Sequence, residues 1–331
     1  MGALTGLRVL DLSRVLAGPT ATQVLGDLGA DIIKIERPGV GDDTRTWGPP
    51  FLKDDAGNDT TESAYYLCAN RNKRSVAVDL STPAGQDIIK ALIPHCDVLI
   101  ENFKVGSLAK YGLSYDQLKA PHPRLIYCSI TGFGQTGPLA SEPGYDFLAQ
   151  GMSGFMNVTG PIDGPPSKAG VAISDYVTGL YAVVGILAAL RARDQTGAGQ
   201  HVDIGLLDCS IAMMSNVAQY YLTAGHPPKR IGNAHATIVP YQEFESADGH
   251  VIIAVGNDHQ FRILATALDH PEWADDPRFI HNTARVAHRT ALIDQIKPVM
   301  KTRTTADWVD TLRKLDVPVG PLLSIDQTFH D

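Results

Sequence analysis

Five short apolar runs separated by helix-like stretches fill the first 130 residues and leave few folds open: LRVLDL (7–12), ADIIKIE (30–36), SVAVDL (75–80), DVLIENF (97–103) and RLIYCSI (124–130). Each is short, rich in branched side chains and bounded by turn residues, which reads as a buried strand. Between the first two, the loop SRVLAGP leads into a helix with Pro19 in its first turn, and Gly29 closes that helix, making a βαβ unit. Ser81 or Thr82 caps a further helix beginning at Pro83. Such alternation calls for a mostly parallel sheet with helices on both faces, an α/β, Rossmann-like arrangement. Ligands of these sheets bind beyond the carboxyl ends of the strands. The loops SRVLAGP, ERPGVGDDTR, ENFKVG and TGFGQTGP are therefore the candidate binding loops.

The pattern changes after a long apolar helix and a further strand at HVDIGLL. Residues 225–240, GHPPKRIGNAHATIVP, read as a linker or functional loop. YQEFES and HVIIAVG flank Asp248-Gly249 as a β-hairpin, with helical segments from about Asp258, Thr290 and Ala306. The expected division is a large domain over 1–224, a linker over 225–240, a smaller α+β domain over 241–315 and a return segment over 316–331.

Net charge is −8 and no basic block occurs, so nucleic acid is not an expected partner. Cys68, Cys96, Cys128 and Cys209 lack metal-like spacing and read as reduced core residues in a cytoplasmic protein. No secretory leader is evident ahead of the first strand. The run Val177–Leu190 is too short to span a bilayer and reads as a buried helix, so no membrane association is expected. No dinucleotide, Walker, zinc-protease or serine-hydrolase motif is present. Arg14, Arg37, Arg71, Lys73, Arg74 and Lys104 fall near strand ends, where they suit either phosphate or solvent. Asp175, at the start of the long helix in SDYVTG, suits either a helix cap or a nucleophile.

In order, the segments LDLSRVLAGP, ADIIKIERPGVGD, NRNKRSVAVDL, DVLIENFKVG, PRLIYCSITGFGQTGP, GYDFLAQGMSG and SDYVTG resemble the class III (CaiB/BaiF-type) CoA-transferases over essentially the whole chain. The likeness is strongest to the branch exchanging CoA between succinate and glutarate. It implies open-ring subunits, with a Rossmann-like large domain and a smaller α+β domain, interlocked as a homodimer. It implies that 316–331 begin a tail that continues further in relatives. By resemblance Asp175 is the nucleophile, passing through an aspartyl-CoA thioester, and the helix N-terminus keeps it ionised. Coenzyme A, as acyl-CoA substrate, is assigned to Val15, Leu16, Ala17, Arg37, Asn72, Lys73, Arg74, Asn102, Phe103, Lys104, Gly132, Phe133 and Gly134. No metal or redox cofactor is implied. The loop Gly232, Asn233, Ala234, His235 occupies the place of a lid, and Arg45, or else His235, is the expected cation for a dicarboxylate acceptor. Local pairing of Arg45 with Asp42 or Asp43 is the competing reading. A 2-methylacyl-CoA racemase is the alternative activity, although Tyr145 stands where that group carries a histidine; an inactive CoA-binding relative is another.

Overall fold

The computed structural model describes residues 2–330 and divides into two compact units. The first comprises the chain up to Asn157 together with Ser167–Pro228. Its strands are β1 (Arg8–Asp11), β2 (Asp31–Glu36), a hairpin of β3 (Phe51–Lys53) and β4 (Asp59–Ser63), then β5 (Lys73–Ala77), β6 (Val98–Glu101), β7 (Ile126–Thr131) and β8 (His201–Gly205). Six of them form one parallel sheet in the order β5-β2-β1-β6-β7-β8. The order in which strands are added reverses between the neighbouring strands β1 and β6, which places a crevice at their carboxyl ends.

The strands read as continuous apolar runs because both faces are buried. Val9, Ile32, Ile100, Ile126 and Ile130 pack on one side with Ala21, Leu25, Ala182 and Ile186. Leu10, Ile33, Ile35, Leu99 and Tyr127 pack on the other with Ile89, Ile93 and Leu118. The edge strand lies at Lys73–Ala77 rather than at 75–80, since its register follows that of β2, with Lys73 opposite Ile32.

The long helix is Ile173–Thr196, longer than the apolar run marked by the sequence. By length and composition it could cross a membrane. One face, through Ala182, Val183, Ile186 and Ala189, belongs to the sheet's core. A Cβ on Gly179 would sit 2.8 Å from the carbonyl oxygen of Ala17, so glycine here lets this helix meet the helix Ala17–Asp27 one turn beyond Asp175. The cysteines divide otherwise than expected: Cys128 and Cys209 are buried, Cys96 is partly buried and Cys68 is exposed, all four free.

The second unit joins Val158–Pro166 to the chain from Lys229 onward. Its antiparallel sheet pairs β9 (Tyr241–Glu245) with β10 (His250–Ala254), and β10 with β11 (Val319–Pro321). Helices including Asp258–Ala267, Arg289–Met300 and Thr305–Lys314 cover it around Phe261, Phe279 and Trp308. Two sequence boundaries shift. Residues 158–166, expected in the large domain, are held here by Arg230, which donates to the Pro161 and Gly164 carbonyls. The segment 316–331 is not a separate return segment at its start, because Val319–Pro321 pairs with β10.

Candidate active site

The loops after β1 and β6 are zipped together at the crevice. The Arg14 amide donates to Asn102 Oδ1 at 2.9 Å and Asn102 Nδ2 donates to the Arg14 carbonyl at 2.7 Å. The Arg14 guanidinium lies over the Phe103 ring and pairs with Asp43. A cleft of about 260 Å³ opens here, lined by residues 14–17, 102–105, 130–132 and 142–145 together with Asp43, Ala140, Asp175 and Leu206. A second recess of about 170 Å³ shares Arg14 and Phe103 and is walled by Leu12, Ile35, Arg37, Val78, Leu80 and Tyr111, among others.

Asp175 faces this cleft from the third position of its helix, and Ala172 is the N-cap residue. The side chain that caps the helix is that of Asp146, in the helix Asp146–Met152: its Oδ1 accepts from the amides of Ser174 at 2.8 Å and Asp175 at 3.3 Å, and its Oδ2 from Gln150 at 2.7 Å. The approach depends on paired glycines. A Cβ on Gly144 would meet Gly132 Cα at 2.1 Å, so only glycine allows these backbones to close and carry Asp146 up to the Asp175 helix.

The electrostatic consequence reverses the expectation that the helix end keeps Asp175 ionised. Burial, with the Asp146 charge adding, pushes the Asp175 carboxyl up to about 7. The terminal amides that would have stabilised its charge are taken by Asp146, which repels a second anion. Among the described residues Asp175 makes no ion pair, whereas Asp43, the neighbouring cleft aspartate, is neutralised by Arg14 and Arg37.

The residues assigned to CoA divide between the cavities and the rest of the fold. Val15, Leu16, Ala17, Asn102, Phe103, Lys104 and Gly132 line the cleft with Asp175, and Arg37 lines the recess beside it. Phe133 and Gly134 do not line either; Gly134 takes φ +81° above Asp203, which accepts from the Gln135 amide. The NKR triplet pairs with carboxylates of its own unit, Asn72 and Arg74 at the exposed surface and Lys73 in the interior. Asn72 donates to Asp27 and Arg74 forks onto Asp31. Lys73 is buried against Asp11, the Pro19 carbonyl and Asn70, and burial lowers it to about 8.

Arg45 corrects the acceptor assignment. Its guanidinium binds Glu36, Glu62 and the Tyr66 hydroxyl, and stacks 3.7 Å from the Tyr66 ring centroid. With its donors engaged and its side chain absent from both cavities, it is a structural cation, paired with neither Asp42 nor Asp43. Arg45→Leu is therefore expected to cost on the order of 2 kcal/mol in denaturant melts, by stranding the buried Glu36 carboxylate. An unchanged melt would overturn this. Gly232, Asn233 and His235 belong to the second unit. There Gly232 takes φ +62°, Asn233 donates to Glu243, and the His235 amide donates to Tyr241.

Four residues escaped the sequence reading. Asp146 holds the start of the Asp175 helix, and Thr131 lines the cleft with a buried hydroxyl that has no hydrogen-bond partner among the described residues. Tyr65 stands edge-on to Trp47 at 5.1 Å, and its phenol is pushed up to about 12 by burial and by the charges of Asp175 and Asp146. The signal available for Asp146 was its place in GYDF beside the cleft glycines; the aromatic pair carried none.

Comparison with known proteins gives the same direction. The model of CoA-transferase family III matches residues 4–331. The succinate–glutarate CoA-transferase of Agrobacterium fabrum is 50% identical over 332 residues, covering 99% of this chain and 82% of that protein. The succinyl-CoA:glutarate CoA-transferase of Homo sapiens is 45% identical over 328 residues, covering 99% of this chain and 73% of that protein. The crystal structure of a CAIB/BAIF family protein from Brucella suis superposes with a TM-score of 0.89 at 50% identity, covering all of this chain and 86% of that one. With an unpaired aspartate in a cleft at the sheet's switch point, and a family match over nearly its whole length, this chain belongs to CoA-transferase family III.

Proposed function

We propose that this enzyme transfers CoA from succinyl-CoA to a short dicarboxylic acid, with Asp175 as the nucleophile. The observation that carries the mechanism is the unpaired Asp175 carboxyl in the cleft. The choice of substrates is supported by relatives at 45–50% identity whose names specify succinate and glutarate. The Asp175 carboxylate attacks the thioester carbonyl, the C–S bond breaks, and an aspartyl-succinyl anhydride and CoA thiolate result. The thiolate attacks the aspartyl carbonyl and releases succinate, leaving aspartyl-CoA. The acceptor carboxylate attacks this thioester, CoA leaves again and attacks the acceptor acyl carbon, and Asp175 is regenerated. No proton is consumed and no carbon or sulfur changes oxidation state, so the sequence of steps calls for no redox cofactor.

Incubation with succinyl-CoA and a series of acids, read by mass spectrometry, should show glutarate or a close diacid preferred over a monocarboxylate of equal length. Preference for pentanoate would sink the diacid assignment. Loss of the α-proton from a 2-methylacyl-CoA in deuterium oxide, without transfer, would establish the racemase instead.

The working unit is proposed to be an interlocked homodimer of open-ring subunits. Phe147, Met152, Leu180, Val184 and Leu222 of the first unit are all more than 45% exposed, an apolar surface that a second copy would cover. Light scattering should report a dimer that persists on dilution; a monomer at every concentration would exclude it. Four free cysteines suit a cytoplasmic location, and recovery in a periplasmic or secreted fraction would refute it.

A further inference from the structure

Val15 combines two properties that rarely coincide. It lines the cleft, and its backbone takes φ +70°, a left-handed conformation that β-branched residues avoid and that glycine adopts freely. Something must hold it there, and the three amides leading into it show what does. The Ser13 amide donates to Asp11 at 2.9 Å, the Arg14 amide to Asn102 at 2.9 Å, and the Val15 amide to both oxygens of Asp42 at 3.3 Å. Each acceptor comes from a different part of the fold, so successive N–H groups are drawn off the turn into the protein.

Asp42 is the unusual member. Its side chain and that of Lys34 are both fully buried, and they pair at 2.9 Å. Asp42 also accepts from the Thr44 amide and hydroxyl, which fixes its orientation. Lys34, in the middle of β2, donates at 3.0 Å to the Ser13 carbonyl, two residues before Val15. The pair thus grips the turn at two points, by its cation at Ser13 and by its anion at Val15. A fully buried ion pair contributes little net stability compared with apolar packing of the same shape. A positional role accounts for charges at this place, since an apolar pair could not accept the Val15 amide.

We propose that the buried Lys34–Asp42 pair is a positioning device for CoA, holding Val15 in the left-handed conformation so that the 14–17 turn forms the cleft wall. Neither residue lines the cleft, and Asp42 reaches only the recess beside it; both act on the cleft wall through Val15. The inference rests on the cleft being the CoA site.

The test is a comparison in two backgrounds, with free CoA titrated calorimetrically and KM and kcat measured for succinyl-CoA. Lys34→Met with Asp42→Ala removes the grip without leaving one buried charge alone. With valine at 15, this double variant should weaken CoA binding about tenfold or more, with KM rising and kcat changing less than about threefold. In the Val15→Gly background, where the conformation needs no enforcement, the same removal should weaken binding by less than about threefold. Equal losses in both backgrounds would overturn the proposal. Asp42→Asn alone is the second variant, because its amide oxygen keeps an acceptor for Val15 while Lys34 keeps its bond to the Ser13 carbonyl and stays near the Asp11 carboxylate. It should bind CoA within about threefold of the wild type, and a tenfold loss would overturn the proposal. Wild-type protein that fails to bind CoA would refute the cleft assignment itself.

Discussion

Asp175→Asn is expected to abolish CoA transfer, by about 10⁴-fold or more, while leaving the protein folded and somewhat more stable at neutral pH. The amide cannot form the anhydride, so no CoA adduct should appear when the variant meets succinyl-CoA; the wild type should gain the mass of CoA less one water at this residue. The stability change has a definite pH dependence. Asp175 is raised from 3.8 to about 7 in the folded protein. Between those values the unfolded chain gives up its proton and the folded one keeps it, so the wild type loses stability as pH rises through this window and stays at the lower level above it. Asparagine removes that penalty. The variant should gain on the order of 2 kcal/mol at pH 8 and almost nothing near pH 4. Wild-type activity should follow the same group, rising with pH to a plateau above about 7, because only the carboxylate attacks. More than a few per cent residual turnover, or a stability gain independent of pH, would reject Asp175 as the perturbed nucleophile.

The second large effect is expected at Asp146, where two substitutions separate its two roles. Asp146→Asn keeps an oxygen for the Ser174 and Asp175 amides and removes the charge that opposes Asp175. The acid limb of the pH–rate profile should then move down by about one unit, with kcat at high pH little changed. Asp146→Ala removes the cap as well. The first turn of the nucleophile's helix loses its acceptor, so kcat should fall by about 100-fold and stability by about 1 kcal/mol. The two variants must differ in this way. An acid limb that stays in place in Asp146→Asn would show that the neighbouring charge has no part in tuning Asp175, and burial alone would then account for its shift.

Much of this site was legible because its fold is written in local pattern. Apolar runs of strand length alternating with capped helices dictate a parallel sheet, and a parallel sheet carries its ligand loops at one end. Val15, Asn102 and Gly132 could therefore be placed at the cleft before any coordinates existed, and they line it. The resemblance marked Asp175 as the residue to examine. What pattern could not show was which charged groups spend themselves on one another. Arg45 read either as a cation for the acceptor acid or as a local partner of Asp42 or Asp43, yet it reaches Glu36 and Glu62, brought to it by a strand and a hairpin. By resemblance the NKR triplet is assigned to CoA, and the register of β5 on β2 directs Arg74 to Asp31, while Asn72 and Lys73 find partners on or beside the Ala17–Asp27 helix.

The sequence by itself determined the sheet, its helices and the end at which a ligand must bind, because burial pattern, caps and turns are local properties that neighbouring residues specify together. Only the tertiary structure decided the ionisation of Asp175 and the conformation of Val15. Both depend on side chains 29 and 27 residues away, Asp146 and Asp42, whose charges act through space and whose distances no local pattern encodes.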